Sequence, residues 1–436
     1  MRTDYTTYSS ADEFAKLDHS LRNLNKQPFV FRSSLIDSLP RQEPGIYTIG
    51  GGRQIGKTTL LKQWMLHLMQ VGCNPQNILF FTGEVIDDHH RLIHILNTSI
   101  SNLAGNDLKY IIIDEVTYIK DWDKAIKFLA DSGLFENCIV VITGSDLMLM
   151  QQARLRFPGR RGKSSQVDFH YFPISFREFV HLKYNSRDKS EEISLLFQAF
   201  DEYLVHGGFL TAINDIAIRG DVLQATLQTY SDWIRADCTR GGKSEHNLRD
   251  FLGGILLTYG SQVTWHSLSQ HLSIEHPKTT QDYAETLQSM DALFIQHAIL
   301  EHKLTKAPKK AKRLFFTDPF IYHATRSWLK PSSSIGNNLA EAHTLSALVE
   351  TCVISHIRRK YTTYFIKAAS EVDVAYLKDE KFYPIEVKWT NQIRPGDLKQ
   401  TLKYPNAVIW SKQKTHSKIQ HLDVIPLPLA LYMEDY

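Results

Sequence analysis

The chain is poor in cysteine: 436 residues contain four, at Cys73, Cys138, Cys238 and Cys352. They lie far apart and form no CxxC pair, so the sequence supports neither a zinc site nor a disulfide framework. Free thiols of this kind fit a reducing, cytoplasmic setting. Long apolar runs are also missing. No stretch approaches the ~20 residues needed to span a bilayer, and the sequence predicts no membrane role of its own. The opening MRTDYTTYSSADEF has no apolar segment of the kind a secretory signal carries. Charge of one sign is not in excess. A net charge of +3 neither requires nor excludes nucleic acid. Internal repeats and long low-complexity tracts are absent. What is left, 43% hydrophobic and 22% charged residues, is the make-up of a globular protein. Its length calls for two to four domains.

Residues 1–44 read as a polar lead-in. Within it, Phe14, Leu17, Leu21 and Leu24 predict one amphipathic helix from Ala11 to Leu24. From Gly45 the pattern is α/β. Apolar runs at Ile46–Ile49, Ile78–Thr82, Tyr110–Asp114, Ile139–Thr143 and Val167–Phe172 alternate with amphipathic stretches such as Thr58–Val71. That alternation predicts a mostly parallel sheet covered on both faces over residues 45–173. Residues 174–244 read as a helical lid. Residues 245–330 read as a winged-helix-like segment, with helices at Trp265–Leu272 and Thr279–Leu293 followed by a hairpin. Six basic residues between Lys303 and Arg313 suit either a solvated hairpin tip or a nucleic-acid backbone. Ser332–Asn338 reads as a linker, and a last α/β domain occupies residues 335–436.

Gly51, Gly52, Arg53, Gln54, Ile55, Gly56, Lys57 and Thr58 match G-x-x-x-x-G-K-[ST] in full, between a predicted strand and a predicted helix. The glycines let the chain curl so that backbone N–H groups face a phosphate. The helix N-terminus adds positive potential. Lys57 neutralises β- and γ-phosphate oxygens, and Thr58 offers a hydroxyl to magnesium, with Thr59 next to it. ATP and Mg2+ are therefore the expected ligands. The run Tyr110-Ile-Ile-Ile-Asp114-Glu115 delivers two carboxylates at the C-terminal end of a buried strand, where α/β sheets bind ligands. Asp114 is expected to hold the magnesium through water, and Glu115 to act as general base on the attacking water. Ile139–Ser145 should end beside it, with Ser145, or Thr143, facing the γ-phosphate or the water. Among Arg154, Arg156, Arg160 and Arg161, Arg160 is the candidate arginine finger, which would come from a neighbouring copy in a homo-oligomer.

Near the C-terminus, Glu371–Leu377 and Phe382–Trp389 alternate about a polar turn and predict a hairpin. A turn centred between Asp379 and Glu380 sets Asp373 opposite Glu386. Like charges facing across a ladder are destabilising, and a divalent cation between them would remove the conflict. Lys388 falls on the same face as Glu386.

Several of these motifs resemble prokaryotic AAA-type ATPases with a restriction-endonuclease-like, PD-(D/E)xK, C-terminal domain. They are Gly-Gly-Arg-Gln-Ile-Gly-Lys-Thr-Thr-Leu-Leu, Ile-Ile-Asp-Glu-Val, Ile-Thr-Gly-Ser, residues 158–179, His206-Gly-Gly-Phe209, Arg313–Pro319 and Ile385-Glu-Val-Lys388. The resemblance spans roughly residues 29–400, although Gly52 stands where the family often has Pro. It implies a P-loop NTPase sheet with a helical lid, a winged-helix-like middle domain and a nuclease-like C-terminal α/β domain. It further implies a magnesium site at Asp373, Glu386 and the helical Glu350, with Lys388 orienting water, and DNA as partner. Some relatives are tied to DNA processing. Others are signal-transducing NTPases, for which the C-terminal domain would be an inactive interaction platform.

Overall fold

The computed structural model describes residues 8–103, 105, 107–184, 192–270, 272, 274, 276–368 and 370–433. His271, inside a predicted helix, lies outside them. The chain forms two compact units, Met1–Phe172 with Ser289–Asp291, and Pro173–Gln288 with Ala292–Tyr436.

In the first unit every apolar run became a strand: β1 (Gly45–Gly50), β2 (Ile78–Thr82), β3 (Lys109–Asp114), β4 (Cys138–Gly144) and β5 (Asp168–His170). All pair in parallel, in the order β2-β3-β4-β1-β5. Alternate side chains enter opposite faces. Ile111, Ile113, Val140 and Ile142 pack with Leu92, Leu96 and Ile126. Tyr110, Ile112, Ile139 and Val141 pack with Leu60, Leu61 and Trp64 of the helix Lys57–Gln70. Burying each such aliphatic or aromatic side chain contributes about 1.5–3 kcal/mol, which explains why strands covered on both sides read as unbroken apolar runs. Because β4 is inserted between β1 and β3, the C-terminal ends of three strands lie side by side.

The single lead-in helix predicted for Ala11–Leu24 is in fact two, Ala11–Leu17 and His19–Leu24. Asp18 breaks it. Its carboxylate accepts from the N–H groups of Ser20 and Leu21, at 3.0 and 3.1 Å, and so caps the second helix. Its other oxygen lies 3.2 Å from Lys62 Nζ in a nearly buried ion pair.

The second unit begins with the expected helices, Phe176–Tyr184, Ile193–His206, Leu210–Arg219 and Gln224–Arg240. The two separated motifs His206–Phe209 and Arg313–Pro319 meet here. Gly207 has φ +55°, and a Cβ at that position would overlap the Asp318 carboxylate. Asp318 accepts from the N–H groups of Gly208 and Phe320, both at 2.8 Å, the second capping the helix Pro319–Leu329. Burial pushes its pKa up to about 6.

Helices Glu245–Leu257, Trp265–Gln270 and Pro277–Ser289 precede the hairpin of β6 (Leu293–Leu300), β7 (Thr305–Lys306) and β8 (Lys312–Phe316). The hairpin is not a free wing. Its β6 pairs in parallel with β9 (Thr363–Lys367) and joins a sheet that continues through β10 (Glu371–Lys378), β11 (Lys381–Lys388), β12 (Val408–Ser411), β14 (Leu422–Pro426) and β13 (Ser417–Ile419). Residues 245–330 and 335–436 therefore share one nine-stranded sheet. The expected linker is also structured. Ser334 caps the helix Ile335–Ala340, which leads into the helix Ala342–Ile357. Of the basic stretch, Lys312 and Arg313 are buried on β8, while Lys303, Lys306, Lys309 and Lys310 are exposed. Among the described residues no helix is long and apolar enough to cross a membrane.

Removing one partner of a buried ion pair strands the other. Lys62→Met is expected to destabilise the protein by roughly 3 kcal/mol. Adding Asp18→Asn, which keeps the cap but removes the charge, should restore much of that. Thermal melts of the single and double variants test this, and no recovery in the double variant would refute the role given to the pair.

Candidate functional site

The loop after β1 is shaped by backbone that few residues tolerate. Gly56 has φ +93° and Gln54 φ +59°, and a Cβ on Gly51 would overlap the carbonyl of Tyr171. Lys57 opens the following helix. Its Nζ donates to the carbonyls of Gly51 (2.9 Å) and Gly52 (2.7 Å) and lies 3.6 Å from Glu115 Oε2. Burial lowers its pKa, against the opposing pull of Glu115 and Asp114. Arg53 lies over the Tyr118 ring at 4.8 Å.

The end of β3 meets this loop. Asp114 accepts from Thr58 Oγ1 and from Thr143 Oγ1, both at 2.6 Å. Thr143 Oγ1 in turn accepts from the Glu115 N–H at 2.9 Å. Glu115 has φ +54°, a conformation that costs a non-glycine residue of order 1 kcal/mol. This turn directs its carboxylate to Ser145, whose N–H and hydroxyl donate to Oε1 at 2.9 and 2.5 Å, with Thr117 Oγ1 at 3.0 Å. Burial raises the Asp114 pKa, and the two threonine hydroxyls oppose it. Burial would raise Glu115 as well, but Lys57, Ser145, Arg53 and Thr117 hold it below the usual carboxylate range. Glu115 is thus kept ionised and aimed. The touching Thr58 hydroxyl and Asp114 carboxylate form a hard-oxygen pair of the type magnesium takes.

The residues read from the sequence as one phosphate site, 51–59 with Asp114 and Glu115, are therefore brought together. Ser145 is there too, donating to Glu115. Thr143 ties both acids to β4. Arg160 is elsewhere. Its carbonyl accepts from Ile46 N–H at the start of β1, roughly 16 Å of strand away from the loop, and its guanidinium pairs with Asp131. Arg156 pairs with Asp123, and Arg154 and Arg161 share Asp168. The reason is electrostatic: each guanidinium has a carboxylate of its own unit within reach. Asp168, held low by Arg161, Thr48 and Arg154 against the upward push of burial, carried no motif that could have marked it.

The second candidate site lies in the carboxy-terminal unit. The β10–β11 ladder runs from Val374↔Ile385 to Lys378↔Lys381, and Asp379 and Glu380 both have positive φ, the two-residue type I′ turn. This is the register anticipated. Asp373 accepts from Val387 N–H at 2.9 Å. Glu386 is buried, 2.6 Å from Lys388 Nζ and 3.0 Å from Thr401 Oγ1. Glu350, Asp373 and Lys388 line a cavity of about 700 Å3 with Trp389 and Arg394. What relieves the like-charge conflict is a side chain. The buried Arg313 reaches Glu350 (3.2 Å), Glu371 (2.9 Å) and Asp373 (3.5 Å). Burial, with Asp373 next, pushes the Glu350 and Glu386 carboxyls well up, each to about 8. Among the described residues no group of three or more His, Cys, Asp or Glu is disposed to hold a metal ion. Of the acids expected to hold magnesium, Glu350 and Asp373 contact Arg313 and Glu386 contacts Lys388 in this arrangement. Arg313 was missed because, in sequence, it reads as the end of a lysine-rich hairpin.

Residues 43–180 match a family model described as an AAA domain. Residues 345–430 match a domain of unknown function, DUF4143. The chain is 28% identical over 244 residues to an uncharacterised protein of Haemophilus influenzae, covering 54% of this chain and 57% of that one. It is 26% identical over 249 residues to an uncharacterised protein of Methanocaldococcus jannaschii, covering 53% and 51%. It thus spans about half the length of the curated relatives it matches. Among solved structures, a Walker-type ATPase of Pyrococcus abyssi is similar at 12% identity and TM-score 0.43, over 75% of this chain and all of that one. The ORC2 protein of Aeropyrum pernix is similar at 14% identity and TM-score 0.39, over 74% and 93%. Residues 43–180 form an AAA-type P-loop ATPase domain, on the family match and on the loop and carboxylate geometry above.

Proposed function

We propose that the protein hydrolyses ATP in its amino-terminal unit and uses the cycle to drive a nucleic-acid-acting carboxy-terminal module, in DNA processing or defence. The observation that carries the hydrolytic half is the largely shielded Glu115, held ionised beside Lys57 at the mouth of the Gly51–Thr58 loop. In this reading Lys57 exchanges its contacts with the Gly51 and Gly52 carbonyls for phosphate oxygens. Glu115, oriented by Ser145 and Thr117, takes the proton of the attacking water. Thr58 and Asp114 would hold magnesium, which supplies charge neutralisation on the phosphates. Thr143 holds Asp114 and the Glu115 backbone in register, a positioning role. A second copy would supply an arginine finger, and Arg160 serves only after leaving Asp131.

For the carboxy-terminal module, the Arg313 arrangement favours a domain that binds without cutting, the inactive-platform alternative. Arg313 already contacts Glu350, Glu371 and Asp373, so a divalent cation there would compete with a resident guanidinium.

Glu115→Gln should keep nucleotide affinity and lower turnover by roughly a hundredfold or more, whereas Lys57→Ala should weaken nucleotide binding itself. Phosphate-release assays with nucleotide-binding titrations check both, and an unchanged turnover in Glu115→Gln removes the hydrolytic assignment. The platform reading expects no cleavage of single-stranded, duplex or branched DNA with magnesium or manganese. Metal-dependent cleavage abolished by Asp373→Ala would reinstate a nuclease.

A further inference from the structure

A second cavity, of about 420 Å3, is lined wholly by residues of the carboxy-terminal unit, between β6 and the turn from the helix Ala342–Ile357 into β9. Among the described residues no carboxylate lines it. Four cations do: Lys306, Arg358, Arg359 and Lys360. Arg359 is partly committed, donating to the carbonyl of Pro173 at 2.7 Å with Glu178 at 3.8 Å. Arg358 lies flat enough over Phe294 to place its carbon 4.2 Å from the ring centroid, while Lys306 and Lys360 are exposed. The field there is positive: His297, in the lining, has its pKa lowered by burial and then by Lys306 and Lys312. Such a concave basic surface attracts anions.

The cavity does not end at its cations. Tyr361, in the lining, begins a row of three half-buried rings. It lies against Tyr376 with centroids 5.0 Å apart and planes tilted by 34°, and Tyr376 stacks on Tyr383 at 5.3 Å and 21°. The register explains the row. Tyr376 pairs across the ladder with Tyr383 on one side and Thr363, also in the lining, on the other. The cations and the rings adjoin, with Lys360 Nζ 5.7 Å from the Tyr361 ring centroid.

We propose that this face binds single-stranded nucleic acid. A backbone phosphate would sit in the cradle of Lys306, Arg358 and Lys360, and bases would continue the tyrosine row. A free phosphate would use the cradle but not the rings. A duplex hides the faces of its bases, whereas an unpaired strand presents them to aromatic side chains and arginine planes. The site is separate from the carboxylate cluster and needs no cleavage there. It deepens the nucleic-acid half of the proposed function and rests on nothing in the ATP site, so the two readings fail independently.

The test uses the full chain and fluorescence anisotropy with a labelled oligothymidylate of roughly 16 nucleotides, a length matched to common single-strand sites. The wild type should bind it more tightly than a duplex of the same length. Lys306→Glu with Lys360→Glu should weaken binding at least tenfold and flatten its salt dependence. Tyr376→Leu, chosen to keep the apolar packing, should weaken it by roughly tenfold while leaving the melting temperature and basal ATP turnover in place. Absence of binding overturns the proposal. So does duplex preference, or loss in the charge variant with no change in Tyr376→Leu. Displacement by millimolar inorganic phosphate with the tyrosine variant unaffected also overturns it, reducing the site to a phosphate cradle.

Discussion

The amino-terminal unit depends on the hydrogen bonds that hold two adjacent carboxylates at the end of β3. Asp114 is buried and Glu115 nearly so beside Lys57, and bare they would repel each other and resist ionising together. Four hydroxyls and one backbone amide divide them. Thr58 and Thr143 hold Asp114, and Ser145 and Thr117 hold Glu115. Hydrogen bonds to charged groups contribute about 1.5–3 kcal/mol each, enough to outweigh the strain of Glu115 at positive φ. The strand order makes this possible, since only with β4 between β1 and β3 do Thr143 and Ser145 stand next to the acids.

The carboxy-terminal unit solves a like-charge problem by another route. There the acids are met chiefly by cations, Arg313 and Lys388, with the Thr401 hydroxyl on Glu386. An arginine with several carboxylate partners is a fixed countercharge, unlike a metal ion that exchanges. The same β8 that carries Arg313 inward belongs to the hairpin fused to the nine-stranded sheet, so the ion network is tied to the sheet's architecture. The unit thus carries a cavity lined in part by Glu350 and Asp373 and, apart from it, the basic cavity beside β9.

Much of this was legible from residues alone. The five strands of the first sheet were readable because both faces are covered, which turns each strand into a continuous apolar run. The register of the β10–β11 hairpin was readable because a two-residue turn leaves little choice of pairing. The helix predicted across Ala11–Leu24 missed a break at Asp18, since spacing sees the apolar side chains and not a buried carboxylate that caps and pairs with a lysine distant in sequence. The expected boundary near residue 332 did not correspond to a gap because β6 pairs with a strand some sixty residues further on, a contact no local pattern encodes.

The sequence by itself determined the phosphate loop, the acidic strand end and the parallel sheet between them, because each is written in contiguous residues whose chemistry and spacing act locally. Only the tertiary structure decided what neutralises the second group of acids, where Arg160 points, and that the hairpin belongs to the C-terminal sheet. Those outcomes rest on charges and strands brought together from distant parts of the chain, and their pairing is set by three-dimensional proximity, which composition and periodicity do not carry.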